Sequence, residues 1–137
     1  MKYLFSFLWI IFSVHSNSQT TIKCEGVQKI NNSALVKING LNQNTDIRKA
    51  DLLKYDLEVT LKDSSYKIIG FIASFDCHSR SLLFDFSART YLGNRIKAND
   101  NFIKHIWVGD QLCIQCINVE RNGMTFVIPG TCFQITE

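Results

Sequence analysis

The chain is short of almost everything that announces chemistry. It carries one proline, Pro129, which argues against a linker-rich chain. No run of Lys or Arg exceeds two residues, and aromatics do not interleave with basic residues, so nucleic acid is not an expected partner. Fifteen basic residues against twelve acidic ones leave a formal charge of only +3, too weak to steer a charged partner. There is no GxSxG, P-loop, GxGxxG, HExxH or EF-hand loop. We expect neither an enzyme nor a cofactor. Internal repeats and low-complexity stretches are absent too.

Long apolar runs are also missing, with one exception. Lys2 precedes the run Tyr3–Val14, which gives way to the small polar stretch His15-Ser16-Asn17-Ser18-Gln19. A positive start, a short apolar stretch and small residues at a cut site read as a secretory signal peptide. A bilayer span needs roughly 20 apolar residues. This run is shorter, so no stable membrane anchor is expected after cleavage. Ser16 and Ser18 fit the −3 and −1 places for a cut before Gln19. Residues 1–18 are thus expected to be a leader and 19–137 a single domain. The protein is expected to be exported, to the periplasm, the cell surface or the medium. Hydrophobic residues make up 46% and charged ones 20%, a balance that supports a packed globule rather than a disordered chain.

The cysteines are Cys24, Cys77, Cys113, Cys116 and Cys132. In an exported protein they are candidates for disulfides. An odd count leaves at least one without a partner in the chain, and the sequence does not choose the pairing.

The rest reads as strands and turns. Ser33–Asn39 alternates, with Val36 and Ile38 on one side. Leu57-Glu58-Val59-Thr60-Leu61 has the cleanest period of two. After the turn Asp63-Ser64-Ser65, the apolar run Tyr66–Phe75 reads as a central strand. Gly70 within it points to a bulge or a close backbone approach. Ser81–Arg89 alternates partly, and Leu92-Gly93-Asn94 is a turn. Asn99–Ile106 reads as one or two helical turns, capped by Asn99 or Asp100, with Phe102, Ile103 and Ile106 inward. Gly109-Asp110 opens a strand over Gln111–Val119. Asn122-Gly123 marks a hairpin into Met124–Ile128. Pro129-Gly130 breaks that strand before a last one, Cys132–Ile135. Only Thr45–Tyr55 lacks alternation and reads as a helical turn or compact loop. Seven to eight strands with turns every 8–12 residues predict an all-β fold, an immunoglobulin-like antiparallel β-sandwich, with a small barrel as the alternative.

Each chemical candidate has a plainer reading. Cys113-Ile114-Gln115-Cys116 is a CxxC, but it lies in a predicted strand rather than at a helix N-terminus. Residues three apart in a regular strand face opposite sides, so the pair would not meet unless the strand bulges. Structural cysteines, buried or bridged to other strands, are the favoured reading. Zinc needs about four ligands, and no second close pair accompanies this one. In Cys77-His78, neighbours along a strand point apart, which disfavours a nucleophile and base. His105 reads as a surface or edge residue. Asp76, Asp85, Asp100 and Asp110 have no spacing that pairs them across a cleft. Asp110 reads as a turn cap. Asn31-Asn32-Ser33 matches a glycosylation sequon, relevant only to a eukaryotic secretory route. Tyr91, Phe102, Trp107 and Phe126 are expected to be core rather than an exposed patch.

Several stretches in the second half, taken in order, carry a resemblance. They are Ile47-Arg48-Lys49-Ala50-Asp51-Leu52; Tyr66-Lys67-Ile68-Ile69-Gly70-Phe71; Phe102, Ile106 and Gly109-Asp110-Gln111-Leu112-Cys113-Ile114 with Ile117; and Asn122-Gly123 followed by Pro129 and Ile135. Over about residues 45–137 the chain resembles the C-terminal domain of GldM, a Bacteroidetes gliding-motility and type IX secretion protein. That resemblance implies an immunoglobulin-like sandwich making protein–protein contacts in the periplasm, without catalytic residues. The chain has no room for the relative's periplasmic shaft, so a free-standing exported module is expected. Binding of another protein is expected through a sheet edge or through loops at Cys77–Arg80, Leu92–Lys97 and Glu120–Gly123. There Arg80, Arg95 and Arg121 suit an interface rim. The alternative is an exported thiol-redox or metal-binding protein using Cys113 and Cys116.

Overall fold

A computed structural model describes residues 21–76 and 88–137. The leader, Cys77, Arg80 and most of the Ser81–Arg89 strand lie outside the described residues. In chain order the elements are β1 (Gln28–Lys29), β2 (Ala34–Ile38), β3 (Leu41–Asn42), β4 (Asp46–Arg48), α1 (Lys49–Lys54), β5 (Leu57–Leu61) and β6 (Lys67–Asp76). They continue with β7 (Ala88–Leu92), β8 (Arg95–Ile96), α2 (Asn101–Lys104), β9 (Gln111–Arg121), β10 (Met124–Ile128) and β11 (Thr131–Thr136).

These strands form two sheets, of seven and four strands, packed against each other as an all-β sandwich. The small sheet runs β3-β2-β5-β8. Its inward residues Val36, Ile38, Leu57, Val59 and Ile96 are the alternating apolar positions, and all are buried. The large sheet is built on β9. One side of β9 pairs with β6, which in turn carries β7; the other side pairs with β10 and β11 in succession. Tyr66–Phe75 is thus central, as its apolar run predicts. Phe71, Ala73, Phe75, Leu112, Ile114, Phe133 and Ile135 face the small sheet from this side.

The sheets are not purely antiparallel. β1 lies parallel to β10, and β4 lies parallel to β11. β4 occupies the start of the Thr45–Tyr55 segment, read from sequence as helix or loop. Only its second half, α1, is helical. Three residues are too few to show alternation, and only Ile47 of β4 is buried.

Two bulges shape the junction between β6 and β9. The register slips by one between Ile68 and Gly70, then slips back between Gly70 and Ile72. On β6 the extra residue falls at Ile69-Gly70. On β9 it falls at Cys116-Ile117, where Cys116 adopts a positive φ of 49°. A bulge of one residue reverses which face each later side chain meets. Leu112 and Ile114 are buried before it, and Ile117 and Val119 after it. A side chain at Gly70 would run into the Tyr91 carbonyl and the Ile22 side chain. At Gly130, opposite the β9 bulge, it would run into the Ile114 carbonyl. The Gly70 expectation therefore holds in both its forms.

Substituting Gly70→Ala forces backbone apart in the middle of the large sheet. It is expected to cost about 2 kcal/mol or more, read as a lower urea midpoint with an unchanged slope. A midpoint within about 0.5 kcal/mol of wild type would show that the approach is not tight.

Candidate interaction surface

The most exposed aromatic of the described chain sits on its most tightly tied turn. The approach begins at α2. Asp100 caps this short helix by accepting from the Phe102 N–H at 2.9 Å, as the sequence anticipates. Phe102, Ile103 and Ile106 are buried, and Phe102 packs on Phe75 and Tyr91 with ring centroids 5.2 and 6.1 Å apart. The terminal carbonyls of so short a helix need outside donors. Lys49, from α1, supplies them: its Nζ donates to the Ile103 carbonyl at 2.6 Å and also to the Ile106 carbonyl.

The chain then turns at residues 107–110. Asp110 is buried, and its Oδ2 accepts from the Trp107 N–H at 2.8 Å. The Asp110 N–H donates back to the Trp107 carbonyl at 3.0 Å, and the Asp110 carbonyl accepts from the Ile135 N–H at 2.9 Å. Gly109, at φ +94°, donates to the Ile135 carbonyl and accepts from the Gln134 amide, both at 2.9 Å. Asp110 is thus the turn cap that its place after Gly109 indicates. Between these anchors Trp107 stays 59% exposed and Val108 48% exposed. Two neighbouring residues thus present a large share of their apolar surface on a turn fixed from both sides.

A second polar knot steadies the same helix. Asp100 Oδ1 also accepts from the Tyr91 hydroxyl at 3.0 Å and from Arg89 at 3.3 Å. Burial, and then the hydrogen bond to Asp100 and its charge, push the Tyr91 phenol well above the ordinary tyrosine value. Asp63, in the β5–β6 turn, is shifted the other way: Ser65 donates to it through backbone and side chain and holds its carboxyl below the usual range.

The structure separates the other sequence candidates. Cys24 bonds to Cys116, and Cys113 bonds to Cys132 directly across β9 and β11. The β9 bulge turns Cys113 and Cys116 to the same outer face, contrary to the expectation for a regular strand. They are nevertheless not partners. Each sulfur has its own partner: Cys116 is bonded to the segment before β1, and Cys113 to β11. Among the described residues, no group of three His, Cys, Asp or Glu side chains is placed to hold a metal. His105 is exposed, as expected.

Of the three arginines expected at an interface rim, Arg95 and Arg121 are described, and they lie on separate elements. Arg95, on β8, reaches Glu58 at 3.7 Å and Asp56 at 4.0 Å. Arg121, at the β9–β10 hairpin, lies over the Tyr66 ring at 5.3 Å. Of the four aromatics expected in the core, Tyr91 and Phe102 are buried and Phe126 is half-buried against Tyr66. Trp107 is the exception. The signal for it was the Gly109-Asp110 turn that follows, which stops the strand before Trp107 can enter it.

Comparison with known protein families, with curated proteins and with solved structures returns no match. The likeness to GldM therefore rests on the quoted residues alone.

The raised Tyr91 pKa fixes a sign for alkaline stability. The neutral phenol is favoured in the fold, so its contribution is complete below the unfolded value near ~10 and declines as pH rises past it. Tyr91→Phe is expected to cost about 1 kcal/mol at neutral pH. It should also flatten the loss of stability between about pH 9 and about pH 11. Urea unfolding across that range decides it; an equally steep loss in both proteins would place the alkaline sensitivity elsewhere.

Proposed function

We propose that this chain is an exported β-sandwich module, not an enzyme, that works by binding another protein. The observation that carries the reading is the Trp107–Val108 turn. Rigid aromatic anchors lose little freedom on docking and dominate interface energies. Here Asp110, Gly109, Gln134 and Lys49 fix the backbone beneath the anchor. Two disulfides fit an oxidising compartment outside the cytoplasm, and no helix among the described residues is long and apolar enough to cross a membrane. The GldM-like stretches supply the proposed setting, a cell envelope with gliding or type IX secretion machinery. Arg95 and Arg121 are exposed enough to serve a rim, although each already has a partner within the chain.

Affinity capture from a cell-envelope extract tests the reading with three baits: wild type, Trp107→Ala and Met124→Ala. Met124 is also exposed, at 58%, but lies on β10 rather than on the turn. The expected result is a partner retained by wild type and Met124→Ala and weakened at least about 30-fold by Trp107→Ala. Trp107→Ala should still unfold cooperatively, at a cost of about 1 kcal/mol or less, since most of the residue is exposed. A capture profile identical for all three baits would overturn the assignment of the turn.

A further inference from the structure

The segment from Thr21 to Ile30 lies against the large sheet, and only its last residue, Ile30, packs against the core, partly buried. None of its ten residues is buried. Its strand β1 pairs with β10 at two positions only, Gln28 with Phe126 and Lys29 with Val127, and the Ile30 N–H adds one bond to the Val127 carbonyl at 3.1 Å. Further back, the Lys23 N–H donates to Asn118 Oδ1 at 3.0 Å, and Asn118 Nδ2 donates to the Lys23 carbonyl at 2.8 Å. Ile22 sits over Gly70. Hollows of about 340 and 220 Å³ flank the segment, one against Ile69 and Asn118, the other against Cys116 and Pro129. The fit is loose on both sides.

What fixes the segment is the Cys24–Cys116 bond, which joins residues 92 apart in sequence at the β9 bulge. Ordering ten residues costs more conformational entropy than two ladder positions, the part-buried Lys23–Asn118 pair and the partial burial of Ile22, Val27 and Ile30 return. Asn118 would not be orphaned by their loss, because its amide also donates to the Cys116 carbonyl at 2.9 Å and water would replace Lys23. The other bridge differs in kind. Cys113 and Cys132 sit on strands already hydrogen-bonded to each other, so breaking that bond leaves its two ends in place.

We propose that Thr21–Ile30 is a redox-locked strap: reduction of Cys24–Cys116 by a dithiol releases it from the sheet while the sandwich stays folded. A thiolate of the dithiol attacks the exposed Cys24 sulfur, the Cys24–Cys116 bond breaks, and Cys116 leaves as a thiolate that takes up a proton. The second thiol of the reductant then attacks the mixed disulfide and frees Cys24 as a thiol. The protein gains two electrons and two protons, and the dithiol becomes a disulfide. Release uncovers the outer edge of β10 at Phe126 and Val127 and the face around Gly70 and Asn118. An uncovered strand edge accepts a new strand readily.

Hydrogen exchange of the full chain, carrying Cys77→Ser to prevent thiol shuffling, tests this with and without dithiothreitol. In the reduced protein the amides of residues 21–30 should exchange at least about tenfold faster, while peptides from β6 and β9 keep their protection. Cys24→Ser should behave the same way without reductant. The paired variant Cys113→Ala/Cys132→Ala, kept oxidised, should hold its strap. Unchanged protection of 21–30 on reduction overturns the proposal. So does loss of protection in β6 and β9 together with the strap, which would make the bond a staple for the whole fold.

Discussion

Backbone pairing on both sides of β9 is the constraint from which the remaining architecture follows. A strand paired on one side can slide; one paired on both sides along its length cannot do so without breaking two ladders. β9 holds β6 on one flank and β10 with β11 on the other, so its register fixes the other six strands of the large sheet directly or through one neighbour. The bulge at Cys116 is the concession this arrangement requires. It lets Leu112 and Ile114, then Ile117 and Val119, reach the same core although the intervals between them differ in parity. Cys116 holds a left-handed backbone angle to make that possible, and Gly130, in the link between β10 and β11, leaves room for the neighbouring Ile114–Gln115 backbone.

The two ends of the sandwich are finished differently. Around the β9 bulge the outer face is covered by a segment with no buried residue. At the other end, α1 and α2 close the gap between the sheets, with Lys49 bonded to the last carbonyls of α2 and Asp100 bonded to the first free amide. That second end is well tied, and the Trp107 turn projects from it. Rigidity and exposed apolar surface therefore coincide at one place, while looseness and a disulfide coincide at another.

Much of this was legible in the sequence, and the reasons differ by element. Leu57–Leu61 announced itself because one face is buried and the other is not. Asn122-Gly123 did so because both residues take up positive φ, 51° and 74°, without strain. Asp100 and the inward trio Phe102, Ile103 and Ile106 were readable from a cap and its spacing. The phase change in Leu112-Cys113-Ile114-Gln115-Cys116-Ile117 was present in the letters, although it registers as a bulge only once the core side is known. β4 and β1 were hidden, because two or three residues pairing in parallel with a distant strand leave no local pattern. The cysteine pairing was hidden for the same reason: Cys24 meets a residue 92 positions away. Trp107 was misplaced because composition favours burying a tryptophan, and only the hydrogen bonds around Asp110 show why this one stays outside.

The order of the strands along the chain bears on when the sandwich can close. β11 follows in sequence every strand it pairs with, yet it lies between β9 and β4 and supplies Phe133 and Ile135 to the core. Among the described residues, the early strand β4 has no neighbour in the large sheet other than β11. The sandwich cannot close until that late segment is present, and pairings so distant in sequence form slowly. A nascent chain of this kind stays open and threadable until β11 has been made.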